Sequence, residues 1–79
     1  MTQYRIIPRD PLRTGRALDA GRVDVQVVAG SRRLDQREFA ARGLAEGWIR
    51  EMTVYRQRQG MAAAVAVVWD SGDWTEVAL

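Results

Sequence analysis

Polar and apolar residues alternate with a period of two in the first part of the chain, and that alternation predicts strands. Residues 3–8 set Tyr4 and Ile6 against Arg5 and Ile7, a short strand that Pro8 ends or pushes to a sheet edge. Residues 22–28 put Val23, Val25 and Val27 on one face and Asp24 and Gln26 on the other, the cleanest strand pattern in the sequence. Between them, residues 9–21 carry turn formers and are expected to be a loop. A helix is predicted from about residue 36. Asp35 is placed to cap it, Glu38 to complete a capping box, and Leu34 with Phe39 to form a hydrophobic staple. Its packed side is mostly small, so Gly43 is expected where the helix approaches the sheet closely and Gly47 where it stops. Residues 48–57 alternate Trp48, Met52 and Val54 against Ile49, Thr53 and Tyr55 and predict a third strand, followed by a turn at Arg58, Gln59 and Gly60. Residues 61–69 are apolar throughout with alanines at 62, 64 and 66, which suits a central strand under a closely packed helix. A hairpin turn at residues 70–73 then leads to a last strand over 74–79, with Trp69 facing Trp74.

The predicted order is strand, strand, helix, strand, strand, strand. It makes a single α+β domain over residues 1–79: a four- to five-stranded, mainly antiparallel sheet with one α-helix packed on one face. The opposite face is expected to stay uncovered and to carry Ile7, Val28, Ile49, Tyr55 and Val77, a surface suited to a partner.

Composition narrows the chemistry. The 79 residues are 47% apolar and 28% charged, an ordinary globular balance with room for one modest core. The chain has no Cys and no His, which removes the commonest metal ligands and the commonest acid/base group at neutral pH. It also has no Lys, so all 12 cations are Arg and Schiff-base chemistry is absent. The inventory argues against an enzyme and against a cofactor or metal site. The first residues lack the charged start and apolar stretch of a signal peptide, and the longest apolar run is too short to cross a bilayer. A cytoplasmic protein without membrane contact is expected, and its small, unstapled core favours homodimerisation or a tight partner.

The charge is uneven. Residues 1–37 hold eight Arg and four acids, +4, whereas residues 38–79 hold four Arg and six acids, −2, which together give the net +2. Arg9, Arg13 and Arg16 fall in the long loop, and Arg32, Arg33 and Arg37 flank the predicted helix start, where positive charge is locally unfavourable unless an anionic partner is present. Tyr55, Arg56 and Arg58 interleave an aromatic ring with guanidinium groups, as nucleic-acid binders do. These nine residues are the candidate partner-binding set. Against a ligand stands the plainer account that Asp35 and Glu38 neutralise the first cluster and that Tyr55 and the arginines beside it simply decorate a strand. A net charge of +2 is also small for a protein held by counterion release. Asp70 and Asp73 suit a turn better than a cation site, since too few oxygen ligands accompany them.

The overall pattern resembles the small phage-encoded anti-CRISPR proteins that block type I (Cascade) surveillance complexes. The resemblance lies in the size, the opening strand Tyr4-Arg5-Ile6-Ile7, the valine strand through Val27, the segment from Phe39 to Ala45, and the closing stretch from Ala66 to Val77. It implies a stoichiometric inhibitor that binds Cascade protein subunits and keeps target DNA from its channel. At +2 such an inhibitor works by steric occlusion rather than by mimicking a polyanion, with Arg forming forked hydrogen bonds to the target. The alternative from another class is a small nucleic-acid-binding regulator that uses the same arginines.

Overall fold

A computed structural model describes residues 1–79. Five strands form one sheet in the order β3-β2-β1-β4-β5: β1 (Thr2–Pro8), β2 (Val23–Ala29), β3 (Arg32–Phe39), β4 (Ala64–Asp70) and β5 (Asp73–Val77). Neighbours run antiparallel except β1 and β4, which are parallel. A parallel pair needs a crossover, and the helix α2 (Arg42–Arg58) supplies it, carrying the chain over one face from the β3 edge to β4. The α+β class and the count of five strands with one main helix agree with the sequence pattern.

Both early strands form as predicted, for the predicted reason. Tyr4 and Ile6 of β1 and Val23, Val25 and Val27 of β2 point to the helix side and are buried with Ala45 and Ile49 of α2. Trp48 closes the core over the edge, 5.8 Å from Tyr4 in an edge-on arrangement and 5.7 Å from Phe39. The hairpin prediction also holds: Ser71 and Gly72 form a two-residue loop, and Trp69 pairs with Trp74 at 5.0 Å between ring centroids.

The helix lies elsewhere than predicted. Residues 32–39, expected to contain the helix start, are strand β3, joined to β2 through Gly30 and Ser31 with Gly30 in the left-handed region at φ 62°. Asp35 accepts from the N–H of Gln36 next to it rather than capping a helix, and Glu38 pairs with Arg9 and Arg22. β3 is an edge strand exposed on both faces, so it lacks the apolar alternation that marks a half-buried strand, and its charges mimic a capping signature. α2 starts instead after Ala41, whose extended backbone carries no side-chain cap.

The second correction follows from the first. Residues 48–57, expected as a strand, lie within α2. Ala45, Ile49 and Met52 recur at helical spacing toward the core, and Trp48 with Met52 is an i, i+4 pair that also fits a period of two. Gly47 sits inside the helix rather than at its end, and a Cβ at Gly43 or Gly47 meets nothing within 4 Å, so neither glycine marks a close helix–sheet approach. The element order is therefore strand, strand, strand, helix, strand, strand.

Two smaller differences bear on surfaces. The loop after β1 contains a short helix, α1 (Pro11–Thr14), whose Leu12 N–H donates to the Asp10 carboxylate, and a 3-10 turn at Ala17–Asp19. Of the residues expected on the uncovered sheet face, only Ile7 and Val28 lie there. Ile49 and Tyr55 belong to α2, and Val77 pairs with Ala66 on the helix side.

Candidate partner-binding surfaces

Strand register sorts the candidate arginines to opposite ends of the sheet. Thr2 stands opposite Ala29 on one side and Ala64 on the other, so the β2–β3 turn and the C-terminal end of α2 share an end. Arg32 and Arg33 leave that turn, while Tyr55, Arg56 and Arg58 occupy the last turn of α2. Residues 29–34 and 54–64 contain no acid. Arg56 donates through Nε and Nη2 to the carbonyl of Ala62 at 3.2 and 2.7 Å, which ties the helix end to the loop that follows. Arg33 donates to Gln36 Oε1 at 2.7 Å. Arg32, Arg33 and Arg58 form no ion pair and are exposed, Arg32 and Arg33 on opposite faces of β3 and Arg58 in the same helical turn as the half-exposed Tyr55 ring. Two cations in the last turn of a helix also offset the negative end of its dipole.

At the other end the arginines meet acids. Arg9 donates through Nε and Nη2 to both carboxylate oxygens of Asp24, at 3.1 and 2.9 Å, and lies 3.3 Å from Asp19 and 3.0 Å from Glu38. Arg22 holds the other oxygen of Glu38 at 2.8 Å. These bonds, led by the one to Asp24, push the Arg9 guanidinium above its ordinary pKa despite its partial burial. Asp19 is only 4% exposed. Its carboxyl is held below the usual range, first by the Thr14 hydroxyl and then by Arg9, both working against desolvation. A shallow cleft of about 450 Å³ opens beside this cluster, between Arg16, Leu18 and Arg22.

The predicted set thus divides. Arg9 is committed to three carboxylates. Arg37 lies 4.9 Å over the Trp48 ring and bonds Asp35, and Arg56 closes a helix end. Arg13 and Arg16 are exposed on the loop. Arg32, Arg33, Tyr55 and Arg58 are the members that the fold gathers at one end and leaves available.

A second surface was not in the predicted set. On the sheet face away from α2, the Arg5 guanidinium sits 5.2 Å from the Trp74 ring, and Trp74 stacks edge-on with Trp69. Both indoles are more than a third exposed, whereas Val28 and Val67 on the same face are buried with no layer above them. Arg5 stands opposite Val67 in the register, and a long side chain on such a face shields apolar surface with its stem. The outward direction of Arg5 was readable from the alternation in β1. Its meeting with Trp74 was not, because it depends on the parallel β1–β4 pairing.

No three or more His, Cys, Asp or Glu side chains are gathered as a metal site. No helix is long and apolar enough to cross a membrane. No protein family, curated protein or solved structure matches the chain.

Proposed function

We propose that this protein works by binding and obstructing a larger partner through its arginine-rich end, without chemistry of its own. One observation carries the reading: Arg32, Arg33, Tyr55 and Arg58 share an end of the sheet where residues 29–34 and 54–64 hold no acid, whereas the other arginine group is neutralised by Asp19, Asp24 and Glu38. Guanidinium groups without an ion-pair partner, with an exposed phenol ring at the same end, suit forked hydrogen bonds to carboxylates and carbonyls of a protein surface. The resemblance to small anti-CRISPR proteins names that partner as a type I Cascade complex, blocked sterically at its DNA channel. Incubation with purified type I effector tests it: co-elution with loss of target-DNA binding is expected, and an effector that binds DNA normally and elutes alone refutes it.

The same end favours a second reading, a nucleic-acid-binding regulator, because Tyr55 stands among cations as a stacking ring stands among phosphate contacts. A gel-shift series against salt separates the two. Three or four phosphate contacts give a log–log slope of roughly −3 to −4, while an inhibitor of protein surfaces binds no free nucleic acid at physiological salt.

A further inference from the structure

The sheet ends in two edge strands, β3 and β5, each exposed along all but its last residue. The backbone of an edge strand offers a row of unpaired N–H and C=O groups to which another strand can bond. The two-residue hairpins fix which groups these are. Asp70 and Asp73 flank one loop as the hydrogen-bonded pair and Trp69 with Trp74 is the next, unbonded pair, so the N–H groups of Trp74 and Glu76 point away from β4. Ala29 and Arg32 flank the other loop in the same way. The alternation of β2 runs unbroken past the bulge, which sets Val27 and Val25 in bonded pairs with Asp35 and Arg37 and turns the N–H groups of Gln36 and Glu38 outward. Two of these outward groups are already engaged: Gln36 donates to Asp35 Oδ1 and Trp74 to Asp73 Oδ1, each at 2.8 Å. Each edge thus carries an aspartate immediately before an outward N–H and bonded to it.

We propose that these two contacts are autoinhibitory and keep the sheet at five strands. A strand added to β3 or β5 needs the outward N–H as a donor, and the carboxylate both occupies that N–H and repels the carbonyl oxygen that would take its place. On β3 the exposure to be countered is one of length, since it is the longest strand of the sheet, at 8 residues, and lies at the edge. The second oxygen of Asp35 meets Arg37 Nε at 3.4 Å, which holds the carboxylate over its own strand. On β5 it is one of composition, because Trp74, Thr75 and Val77 are residues that favour strands. Neither aspartate belongs to the core or to the ion pairs around Arg9, and the two stand on opposite edges, so no shared cluster accounts for the repeated arrangement. The proposal is independent of the functional reading, since the contacts act on strand addition whatever the arginine-rich end binds.

Sedimentation velocity of the full chain and its variants from 1 to 100 µM tests it. Asp35→Ala and Asp73→Ala each open one edge, and a molecule with one open edge pairs only once. Each single variant is therefore expected to dimerise with a dissociation constant at least tenfold below any that the parent chain shows. With both edges open, the double variant is expected to grow beyond dimers as concentration rises; the single variants stand in should the double variant fail to fold. Hydrogen exchange reads the contacts in the parent chain itself: the amides of Gln36 and Trp74 exchange at least tenfold more slowly than the outward amides of Glu38 and Glu76. Folded alanine variants that keep the parent's mass at every concentration overturn the proposal. So does equal exchange of the four amides, because the carboxylates then do not hold the edge.

Discussion

Replacing Gly47 with alanine is expected to stabilise the protein, against the rule that a glycine inside a regular element is there for a reason. Gly47 lies six positions into α2, its backbone φ is not positive, and a Cβ built on it meets nothing within 4 Å. The added methyl therefore brings no clash, and the helix gains the propensity difference of about 0.8–1.0 kcal/mol. For a domain of this length that corresponds to a rise in Tm of roughly 4–8 °C. Gly43, at the second position of the helix, is expected to give a smaller gain for the same substitution, because the first turn has few intrahelical hydrogen bonds to stabilise. Gly60 is the control. Its φ of 68° lies where a Cβ costs about 1–2 kcal/mol, so Gly60→Ala should lower Tm. A fall in Tm for Gly47→Ala would show that something presses on that face within the monomer and would refute the reasoning.

Ile49→Ala removes a side chain that is 1% exposed at the centre of the core, and a loss of about 2–5 kcal/mol in chemical denaturation is expected. In a protein with only 12 buried residues, that leaves much of the population unfolded. The Asp19 carboxyl titrates lower in the folded chain than its ordinary 3.8, so its stabilising effect is complete above that value and is lost as pH falls through the folded pKa. Asp19→Asn should accordingly flatten the fall of Tm below pH 4 and lower Tm at pH 7, and an unchanged acid limb would contradict this. Arg32→Glu, Arg33→Glu and Arg58→Glu together are expected to leave Tm within a few degrees, since none forms an ion pair, while weakening binding to the effector at least tenfold. Unaltered affinity would dismiss the arginine-rich end as the contact.

Where one face of an element is buried, the sequence told its structure plainly. Val23, Val25 and Val27 alternate because β2 has a core side, and Trp69 and Trp74 bracket a tight turn because two strands meet there. β3 was illegible for the opposite reason: as an edge strand with both faces wet it has no apolar period, and Asp35, Glu38 and Phe39 fell by chance at capping distances. α2 was misread because Trp48, Met52 and Val54 satisfy a period of two as well as they satisfy part of a helical wheel. Ala45, Ile49 and Met52 decide the matter only when residues 42–58 are taken as one element. Placing the helix too early also made its glycines look like contact points. The candidate site was half legible: the arginines were visible as residues, but which of them acids would neutralise depends on strand pairing.

That neutralisation joins the fold to the proposed function. The 14 residues between β1 and β2 have little apolar material with which to pack, and Leu12 and Leu18 within them are almost fully exposed. What holds the segment is Arg9, gripped by Asp24 from β2, Glu38 from β3 and Asp19 from the loop itself. In this segment Arg9, Arg13, Arg16 and Arg22 are matched one for one by Asp10, Asp19, Asp24 and Glu38, and the β4–β5 turn adds Asp70 and Asp73 to the same end. The acids used to anchor the loop are absent from the far end, where Arg32, Arg33, Arg56 and Arg58 stand without an opposing carboxylate in residues 29–34 or 54–64. A small net charge of +2 thus hides a polarised molecule, and an anionic surface is met by one end in particular. Halving the excess there with Gln57→Glu and Gln59→Glu should slow association with the effector at low salt while leaving dissociation nearly unchanged, since charges at the rim act mainly on encounter. Equal association rates for the variant and the parent protein would mean that this polarity plays no part in binding.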